Sequence, residues 1–96
     1  MNNTKWRELC LAFYECAPKP AWRAKDLLNS YLSEWDKEWF YHVGPDYCSI
    51  EWLEIDPQGL EESQMKKILE TVGVTYEETD GLFRVIGYKI RNEPPL

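Results

Sequence analysis

The stretch Cys48 to Ile55 constrains the fold more than any other part of the chain. Its alternation puts Ile50 and Trp52 on one face of an extended strand and Glu51, Leu53 and Ile55 on the other. Large apolar groups therefore stand on both faces. Such a strand belongs inside a sheet, with a helix over one side and partial cover on the opposite side. The rest of the chain has to supply those neighbours.

Two helical patterns flank it. Trp6, Leu9, Cys10 and Phe13 recur at i, i+3, i+4 and i+7, with Thr4 placed to cap the first turn, and Pro18 and Pro20 stop the helix soon after Cys16. Asp56-Pro57 can begin a second helix, because proline suits the first helical position. From Leu60 to Val72 it carries Met65, Ile68, Leu69 and Val72 at helical spacing. Gly73 is its natural stop, and Glu62 can pair with Lys66 one turn on.

The remaining segments read as strands. Ala21 to Leu28 fits either a helix bearing Trp22, Leu27 and Leu28 or a strand alternating around Trp22 and Ala24, and the strand is preferred. Between Glu34 and Asp46 the aromatic run Trp39-Phe40-Tyr41-His42-Val43 favours a strand that ends near Gly44-Pro45. Val74 to Glu78 and Leu82 to Ile90 read as a hairpin joined through Thr79-Asp80-Gly81. The expected fold class is α+β: a mixed or antiparallel sheet of about four or five strands with two helices packed on it. Residues 1–91 form a single domain and 92–96, ending Pro94-Pro95-Leu96, a loose tail, since 96 residues offer too little chain for a second core.

Charge narrows the partners. The formal net charge is −6, which disfavours nucleic acid and anionic membranes, because both are bound through Lys and Arg placed against phosphates. From Glu34 to Glu62 there are nine acidic residues and only Lys37 as a base, whereas bases outnumber acids from Met1 to Lys25. The acidic middle is either a solvated face that maintains solubility or a docking surface for a basic protein. Cys10, Cys16 and Cys48 form no CxxC pair, the N-terminus has no secretory apolar run, and no stretch is long and apolar enough to span a membrane. A reducing cytoplasm is the expected location.

Catalytic chemistry finds little support. His42 is the only histidine, so an imidazole acid–base step must use it, with Glu51 or Glu54 as orienter, but no nucleophile motif accompanies it. Cys10, Cys16, Cys48 and His42 lack the short paired spacing of a zinc site, and neither metal nor cofactor is expected. Glu51 and Glu54 fall on opposite strand faces by their odd separation, which argues against a paired-carboxylate glycosidase. A glycine-rich phosphate loop is also absent. The feature that points to recognition is the mixture of rings and acids around Trp35, Asp36, Glu38, Trp39 and Tyr47, weighed against plain core packing.

Pro20 to Leu28, Ser49-Ile50-Glu51-Trp52-Leu53-Glu54-Ile55, Val74-Thr75-Tyr76-Glu77-Glu78 and Ile86-Gly87-Tyr88 together resemble a family of short uncharacterised bacterial proteins, a domain of unknown function. The resemblance implies a bacterial or mobile-element origin and an α+β fold, and brings no activity with it. The reading of the residues is a cytoplasmic protein-binding module, of the kind that inhibits a basic partner as immunity proteins do. Its alternatives are a small enzyme using His42 and a homo-oligomeric structural module.

Overall fold

A computed structural model of the chain describes residues 3–39 and 49–87. In chain order the elements are α1 (Asn3–Tyr14), β1 (Ala21–Asp26), β2 (Ile50–Asp56), α2 (Glu62–Val72), β3 (Tyr76–Thr79) and β4 (Leu82–Ile86). The four strands form one antiparallel sheet in the order β1-β2-β4-β3. The expected α+β architecture of two helices on a small sheet is the one observed, and Ala21–Asp26 takes the strand alternative.

The helices follow from their apolar periodicity. α1 buries Trp6, Leu9, Cys10 and Phe13, and α2 buries Met65, Leu69 and Val72. These join Trp22, Leu53, Ile55, Phe83 and Val85 in one cluster on one side of the sheet. Fully burying each of the larger side chains contributes roughly 1.5–3 kcal/mol, which is how so short a chain offsets its ordering entropy. α2 begins later than the proline at 57 suggests. Leu60 N–H donates to Pro57 O (3.0 Å) in a separate turn, and the helix starts from a reciprocal cap in which Gln64 Oε1 accepts Glu61 N–H (3.1 Å). Its far end closes on Gly73 at φ 85°, where Lys5 Nζ also donates to the Val72 carbonyl (2.6 Å) and ties α1 to α2.

The hairpin expectation holds. Asp80 and Gly81 both adopt positive φ (52° and 80°), the geometry of a two-residue turn whose twist matches its strands, and Thr79 pairs directly with Leu82. Beyond β4, Gly87 leaves no space for a Cβ, which would meet the Ile50 carbonyl and lie 2.9 Å from Trp6 Cζ2. That close approach lets Gly87 N–H donate to Glu51 O (2.9 Å).

β2 departs from simple alternation. Lys25 pairs with Trp52 but Asp26 pairs with Ile50, so β2 carries one extra residue opposite β1. Ile50 consequently joins Leu53 and Ile55 in the core, while Trp52 lies under Arg84 outside it. Ile50 and Trp52 therefore do not share a face, and a bulge that leaves no trace in the apolar pattern is the reason.

The aromatic strand expected over residues 39–43 lies, apart from Trp39, outside the described residues. Ahead of it, residues 31–36 lie along β1 through two isolated bridges, Lys25 to Leu32 and Trp22 to Asp36, so that four steps of this strap span three of β1. Between the bridges the Ala24 N–H donates to Ser33 Oγ (2.9 Å) rather than to a carbonyl, which interrupts the ladder. The expected strand end near Gly44-Pro45 and the tail from residue 92 lie outside the described residues.

Candidate functional site

The side of the sheet opposite the helices is built around one carboxylate. Register aligns Arg23 of β1, Glu54 of β2, Arg84 of β4 and Glu77 of β3 in a single row of alternating charge across all four strands. Arg23 Nε and Nη2 donate to Glu54 Oε1 (2.8 and 2.7 Å), and Arg84 Nη2 and Nε donate to Glu54 Oε2 (2.9 and 3.3 Å). Glu54 is 5% exposed and is the only buried polar or charged side chain among the described residues. Burial alone pushes its carboxyl up, but the hydrogen bonds and charges of Arg23 and Arg84 outweigh that and hold it below the ordinary carboxylate range.

Each arginine also lies over a ring. The Arg23 guanidinium stacks 4.6 Å from the centroid of Trp35, and that of Arg84 stacks 4.1 Å from Trp52. Glu54 thus orients Arg23, and Arg23 in turn steadies Trp35 on the strap. Beside this row Lys25 meets Glu51 at 3.4 Å. Glu51 and Glu54 therefore both reach cations at alternate positions of β1, not opposite faces as their spacing suggests; the bulge at Ile50 accounts for the change.

Among the described residues, the strap and the turn leading into it hold four of the six exposed large apolar side chains. Leu28, Tyr31, Leu32 and Trp35 are 82, 62, 42 and 41% exposed, and among the described residues the only other large apolar side chains so exposed are Leu11 and Tyr14 on α1. The turn is fixed by Asp26, whose Oδ1 accepts the N–H groups of Leu28 (2.8 Å) and Asn29 (3.0 Å). Those bonds, with Asn29 the stronger influence, lower the Asp26 pKa. Ser30 at φ 60° completes the reversal.

Of the residues singled out for recognition, Trp35 is exposed and Glu34 beside it is exposed as well. Asp36 serves its own backbone: its Oδ1 accepts Glu38 N–H (2.8 Å), and its main chain exchanges two bonds with Trp22 (both 2.8 Å). Glu38 is half-buried and its carbonyl accepts the Trp22 indole N–H (2.7 Å). Trp39 is not a surface anchor. It is completely buried, 4.7 Å from Phe13 and 6.2 Å from Trp22 between ring centroids, with Nε1 donating to Pro20 O (2.8 Å). A ring in an irregular segment has no periodicity to declare its side, which is why its position was not legible. Tyr47 and His42 lie outside the described residues, as does Cys48.

Sequence reasoning missed Arg23, Glu54 and Arg84 as a unit, because their bonds join residues 31 and 30 positions apart. The available signal was opposite charge in the middle of three strands, but it needs the strand order to be read. The two described thiols are quiet: burial pushes Cys10 up to about 12, with the Glu38 charge adding to it, and burial also raises Cys16. Among the described residues no group of three or more His, Cys, Asp or Glu is placed to hold a metal ion, and no helix is long and apolar enough to cross a membrane.

These features define a two-layer α+β protein whose described helices cover one face of the sheet and leave a charged and aromatic row on the other. The chain belongs to the family of unknown function DUF6678, whose model matches residues 1–92. No curated protein matches it, and no solved structure does.

Proposed function

We propose that the chain is a cytoplasmic protein-binding module that captures a basic partner, in the manner of an immunity-type inhibitor, through the strap from Leu28 to Glu38. The observation that carries this reading is the concentration of Leu28, Tyr31, Leu32 and Trp35 on one exposed segment. Contiguous exposed apolar groups are expensive for a protein that works alone, and clusters of them rimmed by charge mark interaction surfaces. Within the strap itself acids outnumber bases, with Glu34 exposed, Asp36 and Glu38 half-buried, and Lys37 the base among them. Such an acidic excess steers and selects a basic partner, while the rings supply the contact area.

The surface is also held ready. Asp26 fixes the turn, Ser33 and Asp36 fix the strap, and Arg23 holds the exposed Trp35 ring, so little ordering remains to oppose association. The test is capture of partners from source-cell lysate by the tagged chain, by Trp35→Ala with Tyr31→Ser, and by Glu34→Lys. Asp36 is left intact because its carboxylate supports the strap. A basic partner that is retained by the native chain, released by salt, and lost in both variants without a change in thermal midpoint supports the reading. Equal capture by all three proteins rejects this surface.

A further inference from the structure

The outward N–H groups of β1 are all occupied. Trp22, Ala24 and Asp26 donate to Asp36 O, Ser33 Oγ and Tyr31 O (2.8, 2.9 and 2.7 Å), and the carbonyls of Trp22 and Ala24 accept from Asp36 and Ser33 (2.8 and 2.9 Å). β3 is the strand at the other end of the sheet, and no described segment runs along its outer side. Residues of an antiparallel strand alternate between bonding to the partner and facing away. Ile86 N–H donates to Thr75 O (2.9 Å), which sets the phase: Glu77 and Thr79 bond to β4, and Tyr76 and Glu78 turn their N–H and C=O groups outward. A row of this kind accepts an extended chain as an added strand.

We propose that the outer edge of β3, Tyr76–Thr79, is a strand-addition site for an extended segment of a partner that carries two successive basic residues flanked by apolar ones. Charge selects this occupant. Glu77 and Glu78 are exposed, and Asp80 follows them in the turn. Antiparallel pairing with a second copy would set these glutamates against one another, and like charges directly opposite are destabilising. The same acids favour a Lys or Arg opposite each, at roughly 0.2–1 kcal/mol per cross-strand pair.

The two faces of the edge refine the pattern. On the helix side Glu78 meets Lys66 at 3.4 Å, and the Tyr76 ring lies 6.0 Å from Phe83 with its hydroxyl donating to Glu70 (3.4 Å). Glu77 stands on the other side, opposite Arg84. An incoming strand therefore places basic residues against Glu77 and Glu78 and an apolar side chain against Tyr76. Lys66 also holds Glu62 at 2.8 Å, so its single charge is divided between two carboxylates and leaves Glu78 incompletely neutralised.

The inference stands apart from the strap surface and is tested on the full chain labelled with nitrogen-15. The probe is the capped hexapeptide Thr-Val-Lys-Lys-Val-Thr, and its comparison is Thr-Val-Glu-Glu-Val-Thr. The lysine peptide should shift the Tyr76 and Glu78 amides and slow their hydrogen exchange by about tenfold or more, while the glutamate peptide leaves both unchanged. Glu78→Pro removes an outward donor without breaking a bond to β4 and should weaken the lysine peptide about tenfold, whereas Glu78→Thr, which keeps the N–H, should lie between it and the native chain. Should Glu78→Pro fold poorly, the exchange comparison on the native chain decides alone. No binding, equal protection by both peptides, or shifts confined to Leu28–Trp35 would overturn the proposal.

Discussion

The two edges of this sheet teach different lessons about how a small protein handles unpaired backbone. At β1 the chain doubles back on itself, and a serine hydroxyl fills the place where the strap falls out of phase. At β3, where no described segment runs alongside, the protection is electrostatic and short: four residues, two of them adjacent glutamates, with the acidic turn at Asp80 beyond. Hydrogen bonding closes an edge to every newcomer. Charge closes it only to strands of the same sign, so β1 is sealed and β3 is selective.

The largest effect expected is at the foot of the strap. Trp39→Ala removes a completely buried ring that packs on Phe13 and Trp22, and should cost about 3–5 kcal/mol in chemical denaturation. A loss below 1 kcal/mol would mean that the strap is not anchored through this ring. Next, Ala24→Pro should cost about 1–3 kcal/mol, because its N–H has a partner in Ser33 and proline removes that donor and leaves the hydroxyl unsatisfied. Replacing Glu54 by Gln removes the charge shared by two guanidinium groups and should cost about 1–3 kcal/mol at neutral pH.

The Glu54 variant also has a pH signature. The folded carboxyl titrates below its usual 4.5, so the unfolded chain binds the proton more readily. Its stabilisation is present in full above about pH 4.5 and is lost as pH falls through the lower folded value. Native stability should therefore decline on acidification, and Glu54→Gln should show a shallower decline in the same denaturation series. Parallel curves would sink the assignment of this acid sensitivity to Glu54.

Smaller changes sharpen the contrast between the edges. Ser33→Ala should cost about 1 kcal/mol and speed hydrogen exchange at the Ala24 amide. Glu78→Pro should cost less than about 1 kcal/mol, since proline is tolerated where the N–H faces outward at an edge. The comparison of Ala24→Pro with Glu78→Pro is the most direct measure of the difference, and equal penalties would abolish it.

Local signals were readable where chemistry repeats. Trp6 to Phe13 and Met65 to Val72 declare helices by period, and Asp80-Gly81 declares a hairpin by its need for positive φ. The strap was opaque because Trp35 and Trp39 are four residues apart in an irregular segment, where no rule of spacing says which ring is dry. The Arg23–Glu54–Arg84 cluster was opaque for a different reason: it exists only after three strands have been placed side by side. Composition indicated an acidic chain but not that the one buried acid among the described residues would be clasped by two bases.

The extra residue in β2 acts as a lock on alignment. An ordinary strand can slide by two positions and keep its dry and wet sides, so only side-chain fit opposes the error. In β2 the change of phase is nailed to one point, between the pairs Lys25–Trp52 and Asp26–Ile50. Any slide would carry that point away from Asp26, pull Ile50 out of the core, and break the row through Glu54 at the same time. One unpaired residue thereby turns three separate preferences into a single all-or-none choice of register.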